Sequence, residues 1–148
     1  MYRRFAFEGD IHASLSLVPL VIRRKLDLSR LKISLAGWQA LSREERLSLC
    51  HLPVDSEEDL GVYREVLQAF AARAGVPLEA LWGEHPTPAD WSPAALLGRL
   101  RARLGEREGL DEARLSRLGE EERYALHKLA EPRREPDKLR LALAELGL

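Results

Sequence analysis

The stretch SEEDLGVYREVLQAFAARAG, Ser56 to Gly75, decides the fold class. Ser56 is a favoured helix N-cap. Glu57, Glu58 and Asp59 put three carboxylates in the first turn, where the positive end of the helix dipole stabilises them. Leu60, Tyr63, Leu67, Phe70, Ala71 and Ala74 then recur three and four residues apart, which is one apolar stripe of a helix. Gly75 ends the stripe, because glycine takes the left-handed conformation of a helix stop without strain.

The same punctuation extends in both directions. Upstream, Asp10 opens a short helix over Ile11 to Leu17, and Pro19 fits the first turn of a second helix reaching Leu26 or Asp27. Ser34 caps a turn carrying Leu35, Trp38 and Leu41. Ser42 with Glu45 forms a capping box for a helix to about Leu52, which Pro53 ends. Downstream, Pro77 starts a short helix through Trp82, and Gly83 to Pro88 reads as a loop. Ser92-Pro93 opens a helix with Ala94, Leu97, Leu100 and Leu104 on one face. Asp111 caps a helix to Leu118, another spans Glu120 to Ala130, and the last carries Leu139, Leu143 and Leu146. Only Tyr2 to Phe7 alternates, as an extended arm packing its phenylalanines on the body. The chain reads as all-α: a compact multi-helix domain, residues 1–148, with a short extended N-terminal arm.

An internal repeat gives these helices a plan. Leu41 to Leu52 matches Leu118 to Leu129 at an offset of 77 (118 − 41), with Glu44-Glu45-Arg46 against Glu121-Glu122-Arg123. Ile33 pairs with Leu110 and Trp38 with Leu115. The expected repeat-like units run over about 33–70 and 110–148. Neither buries its apolar face alone, so the two are expected to pack together.

Composition bounds the function. The 148 residues fit one domain, and a net charge of −1 supplies no bulk field toward nucleic acid or an anionic membrane. Acids at Glu8 and Asp10 rule out a signal peptide at the N-terminus, and no run approaches the roughly 20 apolar residues of a membrane span. A single cysteine, Cys50, fits a reducing compartment, so the expected location is cytoplasmic. Four lysines leave 19 arginines (23 − 4), and there is no asparagine. That thermophile-like bias fits a hot-growing or GC-rich source.

Chemistry-bearing patterns are sparse. Cys50 and His51 are adjacent, and neighbours on a helix point about 100° apart. Cys50 sits among leucines, so it reads as a small core residue rather than a nucleophile. His12, His51, His85 and His127 show no metal-ligand spacing, and there is no phosphate-binding glycine loop. No metal, cofactor or catalytic residue is expected. Basic clusters at Arg3-Arg4, Arg23-Arg24-Lys25, Arg99/Arg101/Arg103 and Arg133-Arg134 are balanced by acids, and the third reads as a solvated helix face. Trp82 and Trp91 flank the loop from Glu84 to Pro93. They either pin it to the body or form a partner patch, tryptophan being favoured at binding hot spots.

The N-terminal third resembles the nitrate reductase-associated protein family. The matching residues are Phe5-x-Phe7-Glu8-x-Asp10, Ser14-Leu15-x-x-Val18-Pro19-Leu20-x-Ile22-Arg23-x-Lys25-Leu26-Asp27, Leu31-Lys32-Ile33-x-Leu35-x-x-Trp38 and Leu41-Ser42-x-Glu44-Glu45-Arg46. Near the C-terminus, Leu118, Glu122 to Leu126, Lys128-Leu129, Ala142 and Glu145-Leu146 are also similar. Family members often carry cysteines near the first proline and after the Lys-Leu-Asp. Leu17 and Ser29 stand there, so thiol chemistry at those places is closed to this chain. A His-Glu before the last helix is replaced by Arg133-Arg134-Glu135-Pro136.

The resemblance implies a metabolic setting and no catalytic residues. The reading is a non-catalytic accessory or interaction protein for nitrate assimilation, serving the molybdoenzyme or its assembly through a protein partner, with no membrane association. The expected partner surface comprises Glu8, Asp10, Arg23, Lys25, Asp27, Trp82 and Trp91; alternatively, the motif charges form salt bridges that hold the arm to the second helix. A nucleic-acid-binding regulator using the paired short helices is the competing class, disfavoured by the charge balance. An enzyme whose site assembles from distant histidines and acids is a third. Nothing in the residues sets an oligomeric state.

Overall fold

The structure is a computed structural model that describes residues 2–83 and 85–148; Met1 of the arm and Glu84 of the loop lie outside the described residues. Nine α-helices, two 3-10 turns and one two-stranded ribbon make up the described residues. They divide into two compact units, one of residues 1–4 and 8–85, the other of residues 5–7 and 86–148.

In the first unit, α1 (Ile11–Ser14) is followed by α2 (Leu20–Ser29), α3 (Leu35–Ala40), α4 (Arg43–His51) and α5 (Glu57–Ala74). Side-chain caps start the last three. Ser34 Oγ accepts from Gly37 N at 2.9 Å, Ser42 and Glu45 close their capping box, and Ser56 Oγ accepts from Asp59 N at 3.0 Å. Glu45 also accepts from Arg73 of α5, which holds its carboxyl down to about 2. Helix α2 packs on α4 and α5 and buries Leu20, Val21, Ile22 and Leu26. Trp38, Leu41, Leu49, Cys50, Tyr63 and Leu67 complete the core.

Three local expectations change. The first helix stops at Ser14, because Leu15 turns left-handed (φ 55°), and Asp10 makes no side-chain cap bond. The second begins at Leu20, after Pro19, and runs on to Ser29. No helix follows Pro77. Six residues are too few to offset helix nucleation. The segment instead extends, and β2 (Glu79–Ala80) pairs antiparallel with β1 (Leu31–Lys32) in the register Leu31↔Ala80.

In the second unit, the 3-10 turn Pro88–Trp91 leads into α6 (Pro93–Leu104), α7 (Glu112–Ser116), α8 (Glu120–Leu129) and α9 (Pro136–Glu145). Ser92 and Asp111 cap α6 and α7 as expected. Helix α6 buries Leu96, Leu97 and Leu100, while Ala94 is exposed, so its inward face is turned from the expected one. Trp91 meets the Tyr124 ring edge-on at 4.9 Å. Phe5 is buried and stacks on Phe7, whose N–H donates to Glu145 at 3.1 Å; Ala6 to Glu8 form a 3-10 turn, so the arm is only partly extended. No helix is long and apolar enough among the described residues to cross a membrane.

Glycine positions test the packing. A Cβ at Gly37 would lie 2.5 Å from Val76 Cγ1, whereas Gly61 and Gly98, inside α5 and α6, face open space. Gly37→Ala should destabilise the protein by about 1–3 kcal/mol. Gly61→Ala and Gly98→Ala should each stabilise it by roughly 0.5–1 kcal/mol. Urea unfolding midpoints measure all three.

Candidate functional site

Most of the motif residues converge on one short segment. Four successive carbonyls after α1 are held by side chains from α3 and α4. Arg43 donates to Ala13 O at 3.1 Å, Arg46 to Ser14 O at 3.4 Å and Leu15 O at 2.7 Å, Trp38 Nε1 to Leu15 O at 2.7 Å, and Gln39 to Ser16 O at 2.9 Å. Leu15 is fully buried, so its carbonyl has no water to turn to. Two strong donors satisfy it instead.

The motif charges are largely structural. Glu8 accepts from Leu20 N at 3.0 Å, supplying the cap that Pro19 lacks at the start of α2. Its other oxygen lies 3.2 Å from His12 Nε2, and His12 Nδ1 lies 3.4 Å from the Tyr2 hydroxyl. Lys25 is only 5% exposed. Its ammonium donates to Cys50 O at 2.6 Å and Leu52 O at 2.5 Å, at the C-terminal end of α4 where the helix dipole favours a cation.

The expected partner surface therefore splits. Asp10 and Arg23 are exposed and Asp27 is half-buried. Trp82 is 87% exposed. Glu8 and Lys25 leave the surface set, because each caps a helix end from inside. Trp91 leaves it too, at 0% exposure: its indole donates to Glu120 at 3.3 Å and its ring fills the core against Tyr124. The arm is tied to α2 by a carboxylate capping a backbone N–H, not by the salt bridges that were the alternative. His12, which completes the Glu8 relay, escaped sequence reading. Its signal was the four-residue spacing to Glu8, hidden by the intervening Gly9-Asp10.

The second unit repeats several of these contacts. Helices α7 and α8 begin 77 residues after α3 and α4 (112 − 35, 120 − 43). Arg123, 77 residues after Arg46, donates to Trp91 O at 3.1 Å, and Trp91 lies 77 residues after Ser14. Arg99 of α6 donates to His127 O at 3.0 Å, as Lys25 of α2 donates to Cys50 O; Cys50 and His127 are again 77 apart. Arg103 donates to Arg134 O, so two of the three arginines expected on a solvated face hold backbone carbonyls. His127 is 6% exposed beside Trp91 and Tyr124. Burial, aided by Arg99 and Lys128, pulls its imidazole down to about 4.

No group of three or more His, Cys, Asp or Glu side chains that could hold a metal ion occurs among the described residues. His85 of the loop lies with Nδ1 3.1 Å from Gly83 O. What is assembled is a helical scaffold whose signature residues are hydrogen-bonded to their own backbone. A family model for the conserved nitrate reductase-associated protein matches residues 4–146, and the chain belongs to that family. No curated protein and no solved structure matches it.

Two outcomes separate structural from surface charge. Lys25→Met leaves two carbonyls without their ammonium and should cost about 1–3 kcal/mol, while Arg23→Ala should stay within about 0.5 kcal/mol, both read by urea unfolding. His127 is held neutral when folded, so the unfolded chain takes up its proton first. Its contribution is intact above pH 6.5 and is lost as pH falls toward 4, by at most about 3 kcal/mol. His127→Gln should flatten the stability profile across that window.

Proposed function

We propose that this protein is a non-catalytic, cytoplasmic accessory factor of nitrate assimilation that binds a protein partner, the nitrate-reducing molybdoenzyme or its assembly machinery. Family membership over residues 4–146 carries the reading. Trp82 supports it as the contact residue: a large aromatic standing almost wholly in solvent is a natural anchor for a partner pocket. Asp10 and Arg23 are the exposed charges of the motif and complete the candidate surface.

The regulator alternative gains no support from the charges. A recognition helix offers its N-terminal residues to DNA. Here the first turn of α8 carries Glu120, Glu121 and Glu122, and that of α4 carries Glu44 and Glu45. These acids would meet phosphate with like charge. We further infer that the two helix stretches, about 33–70 and 110–148, are copies of one unit within a single domain. The paired roles of Arg46 with Arg123 and of Lys25 with Arg99 support that inference.

Deleting the gene in its host should lower nitrate-reductase activity in extracts of nitrate-grown cells while leaving growth on ammonium unchanged. Re-expression of the wild-type chain should restore the activity, and re-expression of Trp82→Ala at equal abundance should not. Unchanged nitrate-reductase activity in the deletion strain would overturn the accessory role. Full rescue by Trp82→Ala would remove Trp82 from the surface.

A further inference from the structure

The relay that runs from the Leu20 N–H through Glu8 and His12 to Tyr2 has no counterpart in the second unit. At the 77-residue offset, His85 and Ala89 stand for Glu8 and His12, and Glu79 stands for Tyr2. The second unit forms its own guanidinium grip and its own basic residue on a helix end without such a relay. The relay is therefore an addition to the helical plan.

What it holds is Tyr2, three residues ahead of the buried Phe5. Tyr2 is 7% exposed. Its ring meets the His51 ring edge-on at 5.0 Å, and the Arg4 guanidinium lies over it, 5.0 Å from the ring centre. Its hydroxyl serves both His12 and the Cys50 thiol. If His12 Nε2–H donates to Glu8, its Nδ1 accepts from that hydroxyl, and every member of the relay is satisfied at once. Beneath lies Cys50, fully buried, with the Lys25 ammonium on its own carbonyl.

We propose that Tyr2 is a displaceable latch, set by the Glu8–His12 relay, that gates the reactivity of Cys50. Seated, it seals the thiol. Released, it leaves the thiol open to disulfides and small electrophiles beside Lys25 and His51. Burial pushes the sealed thiol up to about 11, while Lys25, the Tyr2 hydroxyl and Arg4 pull it the other way. The sealed thiol is thus protonated and inert at neutral pH, because the thiolate is the nucleophile. Opening removes the burial and leaves the Lys25 charge in place. A few residues at a chain end open far more easily than a helical core does. The inference goes beyond the accessory role and does not rest on it, since it is read on the isolated chain.

The full-length protein is mixed with 5,5′-dithiobis(2-nitrobenzoate) at pH 8. The Cys50 thiolate attacks the reagent disulfide and forms a mixed disulfide. One equivalent of aryl thiolate leaves and absorbs, and the thiol proton goes to buffer. Tyr2→Ala should react at least tenfold faster than wild type at the same temperature, and His12→Ala several-fold faster. Both rates should be nearly independent of urea below the unfolding transition, as local opening requires. Should Tyr2→Ala fail to fold, Tyr2→Phe, which keeps the ring and removes only the hydroxyl, should still accelerate labelling several-fold. Equal rates in wild type and the Tyr2 variant, or rates that climb with urea along the global unfolding slope, would overturn the latch. Acceleration in Tyr2→Ala with none in His12→Ala would overturn the relay as what holds it.

Discussion

The carbonyl of Leu15 is the point on which the first unit depends. It is fully buried and left-handed, a conformation that costs a leucine about 1–2 kcal/mol. It persists because the Trp38 indole and the Arg46 guanidinium both donate to it at 2.7 Å. Through that one oxygen the end of α1 is tied to α3 and to α4 together. The chain then reverses through Ser16 and Pro19 into α2, whose first N–H is met by Glu8 from before the turn. A strained residue is held by its surroundings, and the surroundings are oriented by it.

This arrangement changes what the long N-terminal motif means. A string of charged, aromatic and proline positions at fixed spacing reads equally well as a binding signature or as a folding signature. Here Glu8, Lys25, Trp38, Glu45 and Arg46 each reach a backbone group or a neighbouring side chain within the first unit. Asp10 and Arg23 face outward from the same motif, and Trp82 stands outside it. The recurrence of the arginine grip and of the helix-end cation in the second unit points the same way, because partners that appear twice in the same roles serve the plan of the helices.

Local signals carried most of the fold. Ser34, Ser42, Ser56, Ser92 and Asp111 all cap the helices they precede, because a cap needs only its own next three residues. The legibility ended where distant partners decide. The extended segment after Pro77 takes its conformation from β1, more than forty residues upstream (79 − 32). The left-handed Leu15 exists because of donors 23 and 31 residues away. Lys25 shows the same limit for the site. Three basic residues in a row look like a surface patch, and only the placement of α4 reveals that Lys25 points at a helix end. Trp82 and Trp91 are identical in sequence terms, yet one anchors the core and the other stands in solvent.

The claim that this shared carbonyl organises the first unit is tested most directly by a double-mutant cycle of Trp38→Phe and Arg46→Met in urea unfolding. With either donor present, Leu15 O keeps one hydrogen bond; with both removed, it is buried with none. The double variant should therefore lose about 1 kcal/mol more than the sum of the single losses. Additivity within about 0.3 kcal/mol would contradict the claim, by showing that the two side chains stabilise the protein independently of the oxygen they share.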